Sequence, residues 1–489
     1  MTDLVISSPN SGIASSPHMG FGDMRNIDIH TIPGVAILNK LLEKKSSTTV
    51  VTTVQWFVKN PATPTECYAL DSAGKVYKST DSGTSWALMT GNTQTSAHGN
   101  GLAIFKNYLI VARDADLDVC GDGTATGITN ANWTNGWKAI DSDVLWHPMI
   151  ISTNDGKLYG GAGRYVFSLD ELTTFNPSSA PTYTFTQQAL DLPATFRIKC
   201  LAELGSNLMC GTWIGTNPYD NRIANIFPWD RAGVSFGQPV QIDEFGTHAM
   251  LNIGGVLYVL AGIEGKVFIS DGVGYSLVGQ VPATIANLDG GSYLLPLPGA
   301  LVNFKQRPFF GVSYGNANIG GMGVWSVLRT SRGNILNFEY TISEGVDGST
   351  NPLQIGALIP FTQDVLLVGW RNNTTYGIDK LNNASFATSY VAYFDSPLYK
   401  VGTNLKKRSF TQIEFQLAKT LASNEGVRVA YRTNLTDSFT TVGTWDFTTL
   451  GAVLSFNDET NIPATEFLQI RVYLTGTTTT PHFQSLTLR

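Results

Sequence analysis

The chain has 489 residues and a formal net charge of −6, and only 14% of its residues are charged, against roughly 25% in an average soluble protein. Thr, Ser, Asn and 49 Gly take the place of the missing Lys, Glu and Arg, which excludes an all-helical protein, because long charged side chains are what solvate helix faces. No basic run exceeds Lys406-Lys407-Arg408 and no window of about 18 apolar residues occurs, so neither a nucleic-acid footprint nor a membrane span is expected.

The N-terminus, Met1-Thr2-Asp3, lacks the basic and apolar regions of an export signal, so Sec-type secretion is not expected. The four cysteines, Cys67, Cys120, Cys200 and Cys210, form no C-x-x-C pair and read as buried thiols. Residues 1–45 show no sustained period and read as an extended N-terminal arm with apolar anchors at Ile6, Ile13, Met19, Phe21, Ile27 and Ile29. Such a segment is suited to lying against a partner. One stretch, Gly34 to Lys45, places Val35, Ile37, Leu38, Leu41 and Leu42 at helical spacing and predicts a short helical stripe.

From residue 46 to 388 an apolar strand, a Gly- or Asn-marked turn and a second strand recur. The anchors are Cys67–Leu70, Leu109–Ala112, Leu158–Gly161, Leu208–Gly211, Leu257–Leu260, Phe309–Val312 and Leu366–Gly369, at steps of 42, 49, 50, 49, 52 and 57 residues. A period near 50 with several short strands is that of a four-stranded propeller blade, and seven units suit a closed ring. After residue 389 the pattern becomes clean alternation, as in Ile413, Phe415, Leu417 and in Leu468, Ile470, Val472, Leu474. It predicts a C-terminal β-sandwich over 389–489. The expected fold is therefore all-β: an arm (1–45), a β-propeller of about seven blades (46–388) and a sandwich.

Ser79-Thr80-Asp81-Ser82-Gly83-Thr84-Ser85-Trp86 fits S-x-D-x-G-x-x-W and resembles the Asp-box of sialidase-like propellers. The resemblance implies a structural turn made by Ser79, Asp81 and Gly83, with Trp86 in the blade core. A sialidase-like site would need clustered arginines, a Tyr–Glu pair and an acidic residue. The nearest match to the family's arginine motif, Phe196-Arg197-Ile198-Lys199, has no proline, and spacing does not converge Arg197, Arg222, Glu203, Glu244 and Tyr219. No catalytic residue and no cofactor is expected.

The acidic string Asp114, Asp116, Asp118 and Asp122 offers oxygen ligands at alternate positions and is a candidate calcium loop, although it lacks the glycine and the bidentate glutamate of an EF-hand. The six histidines are scattered and imply no zinc site. Trp213 and Trp229, set beside Gly and polar turns, are candidates for stacking on sugars.

The layout of arm, propeller and sandwich, with Ala189–Pro193 through Phe227–Arg231 and the closing Thr480–Leu486, resembles the β-propeller tail proteins of tailed bacteriophages, in particular nozzle (tail tubular) proteins and tail-tip components. The resemblance implies a structural virion protein, assembled in the host cytoplasm, whose partners are further copies in a homo-oligomeric ring and other tail proteins. A receptor- or glycan-binding tail protein that recognises host surface glycan is the first alternative. A sialidase-like glycan hydrolase is the second.

Overall fold

The computed structural model describes residues 3–7, 23–46, 50–92, 98–143, 145–178, 182–214, 222–281, 294–314, 323–330, 333–344, 353–386, 391–450 and 454–489. Ile13, Met19 and Phe21 of the predicted arm lie outside the described residues, as does Tyr219. The chain divides into two compact units, one of residues 43–323 and 342–380, the other of residues 1–42, 324–341 and 381–489. Both are built of strands, and among the described residues no helix is long and apolar enough to cross a membrane.

The larger unit is a succession of antiparallel meanders. Its first sheet holds Val54–Lys59, Cys67–Asp71, Val76–Ser79 and Ala87–Leu88; its second Gly101–Phe105, Tyr108–Ala112, Asp116–Cys120 and Trp133–Ala139. The third runs Met149–Ile151, Leu158–Ala162, Tyr165–Glu171 and Tyr183–Asp191, and the fourth Phe196–Leu204, Asn207–Ile214, Ala224–Trp229 and Val240–Ile242. The fifth is Thr247–Ile253, Val256–Ala261, Lys266–Ser270 and Tyr275–Gln280. The hairpin Leu301–Phe304/Arg307–Tyr314 and the strands Leu353–Pro360, Leu366–Asn372 and Thr375–Phe386 follow. Every repeat anchor read in the sequence is the second strand of its meander, which explains why it is the most apolar: it is covered on both faces and paired on both edges.

The first strand of each meander packs against the first strand of the next, from Val54–Lys59 through Gly101–Phe105, Met149–Ile151, Phe196–Leu204, Thr247–Ile253, Leu301–Phe304 and Leu353–Pro360, and the last packs back on Val54–Lys59. Radial stacking of small meanders about their first strands is the β-propeller architecture, in which each sheet buries its faces against its neighbours. Core clusters accordingly lie between sheets: Leu109 and Val111 of the second pack with Tyr68, Leu70 and Val76 of the first. Phe105 and Ile110 pack with Phe167 and Leu169 of the third. As the chain enters this unit, the Lys45 N–H donates to the Ile378 carbonyl and the Lys44 ammonium stands 5.1 Å from the Trp370 ring. The predicted helical stripe over 34–45 is instead extended, as strands Ile37–Leu38 and Lys40–Lys44. Ladder bonds on offer to this segment outweigh its weak helical period.

The smaller unit gathers three distant stretches of chain. One sheet orders Leu4–Ser7, Phe483–Leu488, Arg408–Leu417 and Ser455–Thr465, with Leu4 opposite Leu488 and Ile6 opposite Leu486. The other orders Asp23–Arg25, Ala392–Asp395, Phe467–Thr475, Gly426–Arg432 and Thr440–Asp446. The hairpin Gly323–Thr330/Gly333–Tyr340 supplies Glu339, whose buried carboxylate accepts hydrogen bonds from Asn39 Nδ2 (2.9 Å), Ser326 Oγ (2.6 Å) and Asn337 Nδ2 (2.9 Å). The described part of the predicted arm up to Leu42 is thus short strands and connecting turns inside this unit, and residues 43–45 lead into the larger one.

Candidate functional site

In a propeller the first strands surround the central axis, where catalytic or binding groups gather when there are any. Here chain and side chains occupy part of that region. A 3₁₀ turn, Pro298–Ala300, touches the first strands of the first, fifth and last sheets. A Cβ on Gly299 would lie 2.1 Å from the Gln55 carbonyl oxygen, and one on Gly356 1.8 Å from that of Val54. Trp56, Trp146 and Leu297 share one apolar cluster beside it.

Four first strands carry a bulge at the matching position, where the ladder skips Gln55, Lys199, His248 or Gly356. A bulge re-aims the extra side chain, and two of these meet: Lys199 Nζ lies 2.6 Å from His248 Nδ1 and 5.2 Å from the Trp146 ring centre. Lys199 is 2% exposed and His248 0%. Burial, opposed only by nearby Cys200, holds the Lys199 amine down at about 7, and burial together with the Lys199 charge holds His248 well below the usual imidazole range. The arrangement is a lysine donating to a neutral imidazole. His248 Nε2, Thr247 Oγ1 and Trp213 Nε1 are buried close by without a hydrogen-bond partner of acceptable geometry. A depressed amine suits nucleophilic lysine chemistry, but this one is sealed beneath Trp146 and His248 with no carboxylate bonded to it among the described residues.

The S-x-D-x-G-x-x-W segment forms one tight turn. Asp81 Oδ1 accepts from Ser79 Oγ (2.8 Å), Thr84 N (3.0 Å) and Ser85 N (2.8 Å), and Asp81 Oδ2 from Ser85 Oγ (2.5 Å). Slight burial opposes ionisation of Asp81, but these donors prevail and hold its carboxyl at about 2. Gly83 adopts φ +78°, donates to Ser79 Oγ and faces the Leu367 side chain, while Trp86 sits in the core 5.9 Å from the Phe57 ring. The turn is structural in every contact.

The acidic string does not assemble a cation site. Asp114 accepts from Asn100 and lies 3.0 Å from His98 Nδ1, and Asp122 is held by Thr124. Asp118 forms a fully buried ion pair with Arg113 at 3.0 Å and also accepts from Gly136 N and Asn92. Asp116 Oδ1 is buried with no hydrogen-bond partner. Among the described residues no three His, Cys, Asp or Glu groups converge to hold a metal. Alternate residues on a strand lie along a line, whereas a cation needs ligands wrapped around a point.

Trp213 and Trp229 are buried at 1% and 3% exposure, so neither can stack on a sugar. The Trp229 indole donates to the Gly233 carbonyl and meets Tyr159 edge-on at 5.6 Å, which makes it packing. Arg197 and Glu203 sit at opposite ends of one strand, about 20 Å apart at ~3.3 Å per residue. Arg197 pairs with Asp143, Glu203 with Arg231, Glu244 with Lys266, and Arg222 with Asp243. Of the described candidates only Arg222 and Glu244 are brought together, at 4.0 Å, while Arg197 and Glu203 are held in ion pairs of their own. Sequence reasoning missed Lys199–His248 and Arg113–Asp118, because each pair is made by side chains that only the fold brings together.

No family model matches the sequence, and no curated protein matches it. Solved structures are similar at low identity. YCF48 bound to a D1 peptide is 10% identical, with 76% of this chain and 99% of that chain covered and a TM-score of 0.42. The β-propeller domain of Cps50 (Swd1) from Myceliophteria thermophila is 11% identical over 69% and 98%, with a TM-score of 0.42. The exo-β-1,3-galactanase of Phanerochaete chrysosporium with galactose is 11% identical over 92% and 100%, with a TM-score of 0.31. None of these overlaps is close enough to transfer a role.

Proposed function

We propose that the larger unit is a seven-bladed propeller, that the two facing sheets of the smaller unit form a sandwich, and that the chain is a structural protein of a tailed-bacteriophage tail. Seven first strands packed in succession and back onto the first support the blade count. Inter-sheet ring contacts, Phe394–Phe483 at 5.4 Å and Phe415–Trp445 at 4.7 Å, support the sandwich. The tail assignment rests on the resemblance in layout, with a nozzle or adaptor role that joins or closes the tail through subunit contacts. The observation that carries a structural rather than an enzymatic reading is how the inner strands are used: the turn at Pro298–Ala300 packs on the first strands of the first, fifth and last sheets, and the Lys199–His248 pair joins the fourth and fifth, sealed from solvent. Binding and sealing, with no turnover, is the work this interior suits.

A glycan-receptor role is the second reading, favoured by the larger sheet of the smaller unit, where Arg471 lies 3.7 Å from the Tyr393 ring centre and Arg428 4.1 Å from that of Tyr473. The test is mass spectrometry and cryo-EM of purified particles from the phage that encodes the chain. The structural reading expects the protein in the virion at fixed copy number around the tail axis. Its absence from particles would overturn both readings.

A further inference from the structure

Exposed sheet edges offer unpaired N–H and C=O groups, and proteins blunt them by keeping the outer strand very short or by placing charge on it. Four of the first five sheets obey this rule. The outer strands Ala87–Leu88 and Val240–Ile242 are two and three residues long, Trp133–Ala139 carries Lys138, and Tyr183–Asp191 ends on Asp191, which is paired with Arg164.

The fifth sheet breaks it. Its outer strand, Tyr275–Gln280, is six residues long and has no strand beyond it among the described residues. From Gly272 to Gln280 there is no charge, no proline and no lysine. Apolar side chains on it and on the turn before it face solvent: Leu277 is 54% exposed and Tyr275 44% on the strand, and Val273 87% in the turn. Single exposed apolar residues are ordinary, but Tyr275 and Leu277 on an edge strand, with Val273 in the turn that leads into it, form an apolar group along one edge and mark an association site.

We propose that this edge pairs antiparallel with the same strand of a second copy about a two-fold axis, extending the fifth sheet across two molecules. Neutrality selects the occupant. An acidic or basic segment would find no complementary charge here, whereas two copies of Gly272–Gln280 meet without like-charge repulsion, although each chain carries a net charge of −6. A self-complementary patch also closes on itself, as a two-fold interface requires. This interface is independent of the virion reading.

The test uses the full chain and the exposed position Leu277, where a charge costs the monomer little. By analytical ultracentrifugation at about 100 µM, far above the dissociation constant of a standard-size interface, the unmodified protein is expected to sediment as a dimer or a multiple of it. Leu277→Lys and Leu277→Glu are each expected to halve that mass, with circular dichroism unchanged. An equimolar mixture of the two is expected to restore it, because opposite charges then face each other across the axis. A monomeric unmodified protein, or a Leu277→Lys variant that assembles as before, would overturn the proposal, and failure of the mixture to reassociate would overturn the two-fold geometry.

Discussion

The two units solve the burial of a strand-rich chain in opposite ways. In the larger, the first five sheets are contiguous meanders and only the last borrows a distant strand, Lys40–Lys44, so most pairings are local, and charged or basic groups are buried in pairs: Arg113 with Asp118, and Lys199 with His248. In the smaller, Leu4 pairs with Leu488 and Met24 with Phe394, so its sheets exist only when distant parts of the chain meet. Its interior between the sheets is apolar, with Phe394, Phe415 and Phe483 in ring contact. Both units bury charge, Arg113 with Asp118 in the larger and Arg471 with Asp395 in the smaller, so the contrast lies in connectivity: a repeat finds its register through local turns, whereas a long-range assembly depends on clean hydrophobic alternation.

The sharpest way to break the contrast is to strip the charge partner in the larger unit. Arg113→Leu leaves Asp118 buried and unpaired and is expected to cost about 3–5 kcal/mol, read as a lower urea midpoint at constant slope. Phe483→Ala in the smaller unit is expected to lose about 3–4 kcal/mol through its cavity; hydrogen exchange should localise the loss to strands 408–417 and 483–488, and protection lost equally in the larger unit would refute the division. Ile6→Ala, at 1% exposure on an edge strand, should cost about 2 kcal/mol and loosen the N-terminal pairing first.

The Lys199 amine gives a pH test whose sign is fixed. The amine is held at about 7 in the folded chain and is near 10.5 when free, so between those values the unfolded chain binds the extra proton and stability rises with pH. Below about 7 both states are protonated and the slope vanishes. Cys67, Cys120 and Cys210 are pushed up to about 12 by burial, so thiols reverse the trend only above their ordinary range. From pH 7 to 9 the Lys199 contribution should be about 2 kcal/mol, and Lys199→Met should flatten that rise in thermal melts at matched ionic strength. The smallest effect is Asp81→Ala, which removes a cap-like acceptor at an exposed turn: about 1 kcal/mol, and a larger loss would mean that the turn braces more than its own sheet.

Much of the larger unit was legible because each anchor is a paired, two-face-buried strand, and two-face burial writes an unbroken apolar run into the sequence. The alternation of Ile413, Phe415 and Leu417 was legible for the complementary reason of one-face burial. The Ser79–Trp86 turn was legible since the hydrogen bonds to Asp81 that shape it are all local. Trp213 and Trp229 misled because glycine-flanked tryptophan looks the same in core and surface. The hairpin Gly323–Tyr340 could not be assigned to its unit, because that choice is written in Asn39, Ser326 and Glu339, residues up to about 300 positions apart.

By itself the sequence determined an all-β chain of low charge, its repeat, its turns and its change of pattern near residue 390, because period, turn chemistry and composition act over a few residues. Only the tertiary structure decided that a turn packs onto the inner strands, that the acidic string is dispersed into ion pairs and caps, that described arm residues form strands, and which outer strand has no further strand beside it among the described residues. Those outcomes depend on which side chains meet across sheets, and bulges that re-aim Lys199 and His248 toward each other have no local signature.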